Sequence, residues 1–232
     1  MSTTGQLHEQ DFNDWWARTG EWVEAPNQRR GGESGVQILV PESPEQPWLY
    51  SKRQIGHRFI SLRYPLGRPT VLREKNAMHA LEALGVRVPK LIFYGAVKKG
   101  PDWHALLVTQ ALTGFISLDE WYEQQRSQPV DSALIEPVLQ HVATTLYKMH
   151  RAGWQHSCCY GKHIFIKINA KHAPEVALLD LEKARRRWPA QRAALHDIKQ
   201  LSRHRGGMPE AHWQLFLQHY CNLNPKLRTK LP

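Results

Sequence analysis

Two imidazoles, two thiols and an ammonium crowd the run Gln155-His156-Ser157-Cys158-Cys159-Tyr160-Gly161-Lys162-His163, and a carboxylate, Asp180, closes an apolar run shortly afterwards. Side chains of these types support three chemistries. Thiolate and imidazole bind zinc, a cysteine beside a histidine can act as a nucleophile, and an aspartate after a short two-stranded ribbon can hold magnesium for phosphoryl transfer. The zinc reading lacks paired Cys-x-x-Cys spacing, because Cys158 and Cys159 are adjacent. The hydrolase reading lacks an oxyanion-hole motif beside the cysteines. The order of residues favours phosphoryl transfer.

In protein kinases the catalytic loop reads His-Arg-Asp, four residues, then Asn, and a hairpin leads to a metal-holding Asp. Here His156 stands in the His position, Cys158 where the aspartate base would be, His163 in the Asn position and Asp180 in the metal position. In this reading His156 is a packed, loop-stabilising histidine.

Phosphoryl transfer demands charge neutralisation and alignment more than covalent chemistry, so the remaining parts can be sought upstream. Lys52 lies in the strand candidate Trp48-Leu49-Tyr50-Ser51-Lys52. From Thr70 to Leu84, Val71, Met78, Leu81 and Leu84 recur at helical spacing, with Pro69 before the start and Gly85 past the end. Glu74 shares that apolar stripe, so its carboxylate needs a partner, and the Lys52 ammonium supplies one that would then point at the α and β phosphates of ATP. Gly31, Gly32 and Gly35 would let backbone approach the phosphates without a Cβ clash, with Arg29 and Arg30 adding positive charge. The backbone from Gln110 to Leu112 is the candidate adenine contact, and His163 with Asp180 the candidate magnesium side.

The elements that must position these groups are legible in outline. Val36–Val40 and the Lys52 strand, bracketed by Pro41 and Pro47, predict a hairpin at a sheet edge. Lys90–Tyr94 and Ala105–Gln110 predict two further strands around a Lys98–Asp102 turn. Ser117-Leu118-Asp119-Glu120 reads as a capping box that starts a short helix. A long amphipathic helix running from Leu134 to near Gly153 delivers the chain to His156. Ile164–Ile168 and Val176–Leu179 form the ribbon before Asp180, and 190–201 and 210–222 read as helices. A strand-rich first half therefore gives way to a helix-rich second half, an α+β arrangement in two lobes. The boundaries are a lead-in over 1–26, which carries Trp15, Trp16 and Trp22 and packs on the domain, a first lobe over 27–112, and a second over 113–232.

With 232 residues the chain can bury a sizeable core. No run reaches the roughly 18 to 20 apolar residues that span a bilayer, and the first residues lack a basic-then-apolar signal pattern. Three cysteines make no disulfide framework. The expectation is a cytoplasmic protein with free thiols. A net charge of +10 favours a polyanionic partner. Tryptophans beside basic residues could stack on RNA, but most occupy strand or helix positions where packing explains them.

Several strings together resemble the lipopolysaccharide core kinases of the WaaP and InaA type: Arg29-Arg30-Gly31-Gly32-Glu33-Ser34-Gly35-Val36, Tyr50-Ser51-Lys52-Arg53-Gln54, Gly67-Arg68-Pro69-Thr70 with Arg73-Glu74, the loop from His156 to His163, and Leu179-Asp180-Leu181. The resemblance runs from about Asn27 to Asp197. It implies a protein-kinase-like fold and an ATP- and magnesium-dependent kinase that phosphorylates a heptose-type hydroxyl of lipopolysaccharide core, or a related anionic glycolipid, on the cytoplasmic side. WaaP-like kinases carry aspartate where this chain has Cys158, and the InaA-like branch carries His-Ser-Cys. A thiol of ordinary pKa near 8.5 is mostly protonated at neutral pH, so Cys158 serves as base only if Lys162 or a metal lowers its pKa. The alternative is a nucleotide-binding pseudokinase that regulates or scaffolds envelope biogenesis. Lys183, Arg185, Arg186, Arg187 and Arg192 crowd after Asp180, where an acceptor would arrive, and predict contact with anionic glycolipid, peripheral at the inner membrane.

Overall fold

The structure is a computed structural model that describes residues 3–29, 32–41, 43–127 and 132–230. It divides into two compact units, one of residues 1–76 and 89–112, the other of residues 77–88 and 113–232.

The first unit opens with helix α1 (Thr3–Ala17) and continues through strands β1 (Glu21–Arg29), β2 (Gly32–Leu39), β3 (Leu49–Ile55), β4 (Arg58–Ser61) and β5 (Tyr64–Pro69). Helix α2 (Thr70–Ala83) then passes from the first unit into the second, and β6 (Leu91–Lys99) and β7 (Asp102–Gln110) return to the first. Five strands form an antiparallel sheet in the order β1-β2-β3-β7-β6, while β4 and β5 pair as a separate hairpin. The strands predicted around Pro41 and Pro47 do pair, but they are interior rather than an edge, because β1 covers β2 and β7 covers β3. The 1–26 lead-in is itself structural: α1 packs Phe12, Trp15 and Trp16 against Leu106, Val108 and Phe93 of the sheet. Trp15 stacks on Phe93 with ring centroids 5.4 Å apart, and Phe12 on Trp16 at 5.3 Å. Strand β1 takes Pro26 because an edge strand can spare a backbone donor.

The second unit contains β8 (Ile116–Ser117), α3 (Leu118–Ser127), α4 (Ile135–Arg151), β9 (Trp154–Gln155), β10 (Ile164–Ile168), β11 (Pro174–Leu178), β12 (Arg185–Arg186), α5 (Ala190–Arg203) and α6 (Glu210–Leu223). The capping box forms as read: Glu120 N–H donates to Ser117 Oγ at 3.1 Å and Ser117 N–H to Glu120 Oε2 at 2.7 Å. Helix α4 buries Val138, Leu139, Val142, Ala143, Leu146 and Met149, and α6 packs Trp213, Phe216 and Tyr220 into the same core. Among the described residues no helix is long and apolar enough to cross a membrane.

Candidate active site

Strand alternation puts Lys52 and Gln54 on one face of β3, and that face receives α2. Buried Gln54 accepts from Thr70 Oγ1 at 2.9 Å and from Val71 N–H at 3.2 Å, capping the helix from a neighbouring strand. One turn further along, Glu74 reaches back, and Lys52 Nζ lies 2.8 Å from Glu74 Oε2 with both side chains mostly buried. The helix stripe thus contains Val71, Met78 and Leu81 in the core, whereas Leu84 is partly exposed beyond its end. The sequence pointed to Glu74; nothing in it singled out Gln54, whose amide fixes the start of the helix that carries the carboxylate.

Of the glycine cluster, Gly31 and Arg30 lie outside the described residues. Gly32 and Gly35 belong to β2 rather than to a turn, and both are held to glycine by packing. A Cβ on Gly32 would lie 2.6 Å from His57 N and 2.7 Å from Ile55 O, and one on Gly35 would lie 2.6 Å from the Trp22 ring. At the end of β7, Gln110 N–H donates to Lys90 O at 2.9 Å and Ala111 N–H to Trp48 O at 2.8 Å. Leu112 follows directly.

The second unit gathers His156, Cys158, His163 and Asp180. Short ladders set the loop: β9 pairs with β12, β10 with β11, and Leu179 N–H donates to His163 O at 3.0 Å. Ser157 at φ 70° and Asp180 at φ 56° adopt left-handed backbone, a conformation that costs about 1 to 3 kcal/mol and must be held by its surroundings. Asp197, fully buried on α5, does much of the holding. Its carboxylate accepts from His156 N–H at 2.5 Å, Ser157 N–H at 3.0 Å and His196 Nδ1 at 3.1 Å, and lies 3.2 Å from His150 Nε2. His150 in turn meets Tyr220 Oη at 2.7 Å, and Gln200, one turn beyond Asp197, accepts from Cys159 N–H at 3.1 Å. Burial alone would raise the Asp197 pKa, but the hydrogen bonds from His150 and His196 and the charges of His150 and His156 hold the carboxyl well below the usual range.

His163 places Nδ1 2.8 Å from Cys158 O, a carbonyl that can only accept, so Nδ1 donates there, and its Nε2 lies 3.6 Å from Asp180 Oδ2. The donor set suits a divalent cation completed by phosphate and water, with the Asp180 oxygen the ligand magnesium prefers and imidazole a softer partner. The zinc grouping does not form: His156 stacks flat on His163 at 6.1 Å, its Nδ1 accepts from Cys158 N–H, and among the described residues no three His, Cys, Asp or Glu side chains gather as a metal site. Cys158 is not an activated thiolate. Burial and the Asp180 carboxylate push its thiol up, and the group that pulls the other way is Lys183, not Lys162.

Burial holds His156 below the ordinary histidine value of 6.5, against the pull of Asp197. A folded pKa below the unfolded one gives stability that is present above the unfolded value and lost as pH falls. Urea unfolding should therefore show stability declining below about pH 6.5, by up to ~1.4 kcal/mol per pH unit for this group. A His156→Asn variant, whose side-chain oxygen can still accept from Cys158 N–H, should lose that part of the slope.

A paired lysine and glutamate on a strand and helix, and an aspartate held in left-handed backbone after a two-stranded ribbon, define a protein-kinase-like α+β fold. A solved structure of WaaP in complex with acyl carrier protein shares this fold at a TM-score of 0.70 and 21% identity, covering 98% of this chain and 90% of that one. The chain belongs to the lipopolysaccharide kinase (Kdo/WaaP) family, whose model matches residues 13–220. It is 43% identical over 210 residues to the protein InaA of Escherichia coli (strain K12), across 90% of this chain and 95% of InaA. It is 31% identical over 147 residues to the lipopolysaccharide core heptose(I) kinase WaaP of the same strain, across 59% of this chain and 54% of WaaP.

Proposed function

We propose that the chain is an ATP- and magnesium-dependent kinase that phosphorylates a sugar hydroxyl of lipopolysaccharide core, heptose-type, or of a related anionic glycolipid. The observation that carries this reading is the Lys52–Glu74 pair, set by a strand and a helix that Gln54 ties together, in a member of a family whose WaaP relatives are named as heptose kinases. When bound, ATP with magnesium would supply the phosphoryl group and neutralise its charge. Within the chain, Glu74 fixes the Lys52 ammonium, which would meet the α and β phosphates, and Asp180 with His163 would form the magnesium side. Gln110 and Leu112 are the backbone contacts in this proposal; Gly32 and Gly35, whose Cβ space the protein itself fills, are not. His156 and Asp197 hold the loop.

A second reading has its own observation. A buried Cys158 whose thiol stays protonated contributes no general base, which fits a pseudokinase that binds nucleotide and scaffolds envelope biogenesis. Both readings place the protein in the cytoplasm, with glycolipid contact at the inner membrane surface. Part of the basic segment also serves structure: Arg186 donates to Ala152 O and Arg187 to Gln155 Oε1, both at 3.1 Å. The first experiment is a thermal melt with ATP and magnesium. At about a hundredfold excess over Kd, the expected rise in Tm is roughly 5 to 10 °C, and an unmoved Tm would remove both readings.

A further inference from the structure

The hairpin of β4 and β5 puts its aliphatic side chains in water. Ile60 is 71% exposed, Leu66 90%, and Leu62, in the turn, fully exposed. Other side chains hold it in shape. Phe59 and Tyr64 meet edge to face at 6.0 Å, Tyr64 N–H donates to Ser61 Oγ at 3.2 Å, and Arg68 lies 5.1 Å over the Trp103 ring. Thr70 N–H donates to His57 O at 3.2 Å and closes the root. The tip is therefore built and held, with leucines where polar residues would be ordinary. Charge follows the same outline: from Gly56 to Arg73 the chain carries Arg58, Arg63, Arg68 and Arg73 and no acidic residue.

We propose that this hairpin is a membrane-docking wedge, with Leu62, Leu66 and Ile60 entering the interfacial layer of an anionic bilayer while Arg58 and Arg63 bind lipid phosphates. Guanidinium pairs with phosphate in bidentate geometry, and apolar side chains flanked by basic ones gain from both the acyl boundary and the surface potential. Depth is limited by the backbone. A two-stranded ribbon has open edges, which need water or headgroups, so the tip reaches interfacial depth and does not span. A second copy of the chain is a poorer occupant, because a twofold contact would bring the same arginines against one another. A rigid acidic protein would need a pocket shaped for a convex leucine tip, whereas a fluid bilayer conforms to it. The wedge does not rest on phosphoryl transfer, and binding and turnover are read separately.

The test uses the full chain and vesicles of phosphatidylcholine, with or without phosphatidylglycerol. Sedimentation should show binding to the anionic vesicles that salt weakens. The doubly substituted Leu62→Ser, Leu66→Ser protein should partition about thirtyfold more weakly, and the Arg58→Gln, Arg63→Gln protein about twentyfold more weakly, with unchanged melting temperatures. The three native cysteines are buried, so an environment-sensitive dye on a Leu62→Cys variant reports the tip alone; its emission should shift to the blue on anionic vesicles and be quenched by lipid-borne nitroxides. Unchanged vesicle binding in both variants, or a dye that senses no lipid, would overturn the proposal. So would a leucine variant that changes only the oligomeric state, or arginine substitutions that affect only binding of a soluble acidic protein.

Discussion

Replacing Asp197 with Asn is expected to remove about 3 to 5 kcal/mol of folding stability, the range for breaking a buried charged network by changing one partner. In this chain of 232 residues that corresponds to a Tm lower by roughly 6 to 20 °C. The carboxylate is acceptor only, and the groups around it are donors: two loop amides and the imidazoles of His150 and His196. An asparagine amide nitrogen must face at least one of those donors and leave it unsatisfied in the core. The released loop includes Ser157, whose left-handed backbone has no reason to persist without its N–H bond to Asp197. The native carboxyl also has a pH signature. Its folded pKa lies below the ordinary 3.8, so its contribution is fully present above about pH 4 and is lost as pH falls through the folded value. Urea unfolding of both proteins at neutral pH and near pH 3 checks both statements. A variant within about 1 kcal/mol of the native protein at neutral pH would show that the loop is held by something else.

The same physics explains what the sequence disclosed and what it hid. Glu74 was legible because a carboxylate on an apolar helical stripe is costly without a partner, and a strand lysine was available. Asp197 carries the identical signal, sharing its helix face with buried Ala193, Ala194, Ile198 and Leu201; its partners, however, are loop amides, which leave no trace in side-chain identity. Gln54 is silent in the sequence for a related reason, since it caps a helix from a separate strand, whereas capping patterns lie within the helix's own sequence. Strand β1 has two irregularities in its register against β2 and contains Pro26, so it offers no clean alternation. The β4–β5 hairpin reverses the premise of pattern reading, which equates apolar with buried. The glycines were legible as special positions but not as to cause: neighbouring backbone fills the Cβ space of Gly32, and the Trp22 ring with backbone of β1 fills that of Gly35.

Restoring a carboxylate at position 158 is the most direct trial of the chemistry. If the chain transfers phosphoryl groups slowly for want of a base, Cys158→Asp should raise kcat with a lipopolysaccharide acceptor by about 100- to 10,000-fold, the usual worth of a positioned general base. The surroundings suit the change. Lys183 is the cation that already lowers the Cys158 thiol pKa against burial and Asp180, so it can also favour the ionised form of an aspartate placed there, although repulsion from Asp180 sets a limit on the gain. Asp180→Asn supplies the complementary arm, because it removes the oxygen charge proposed to hold magnesium while keeping the side chain's shape; turnover should fall to background and the magnesium-dependent part of the ATP-induced Tm rise should vanish. The pair of variants separates the two readings. Gain in the first and loss in the second require a phosphoryl-transfer site that lacks only its base. An Asp180→Asn protein that loses magnesium-dependent ATP binding, beside a Cys158→Asp protein that gains no turnover, would mean that the remaining groups are arranged for binding nucleotide alone, and the scaffold reading would stand.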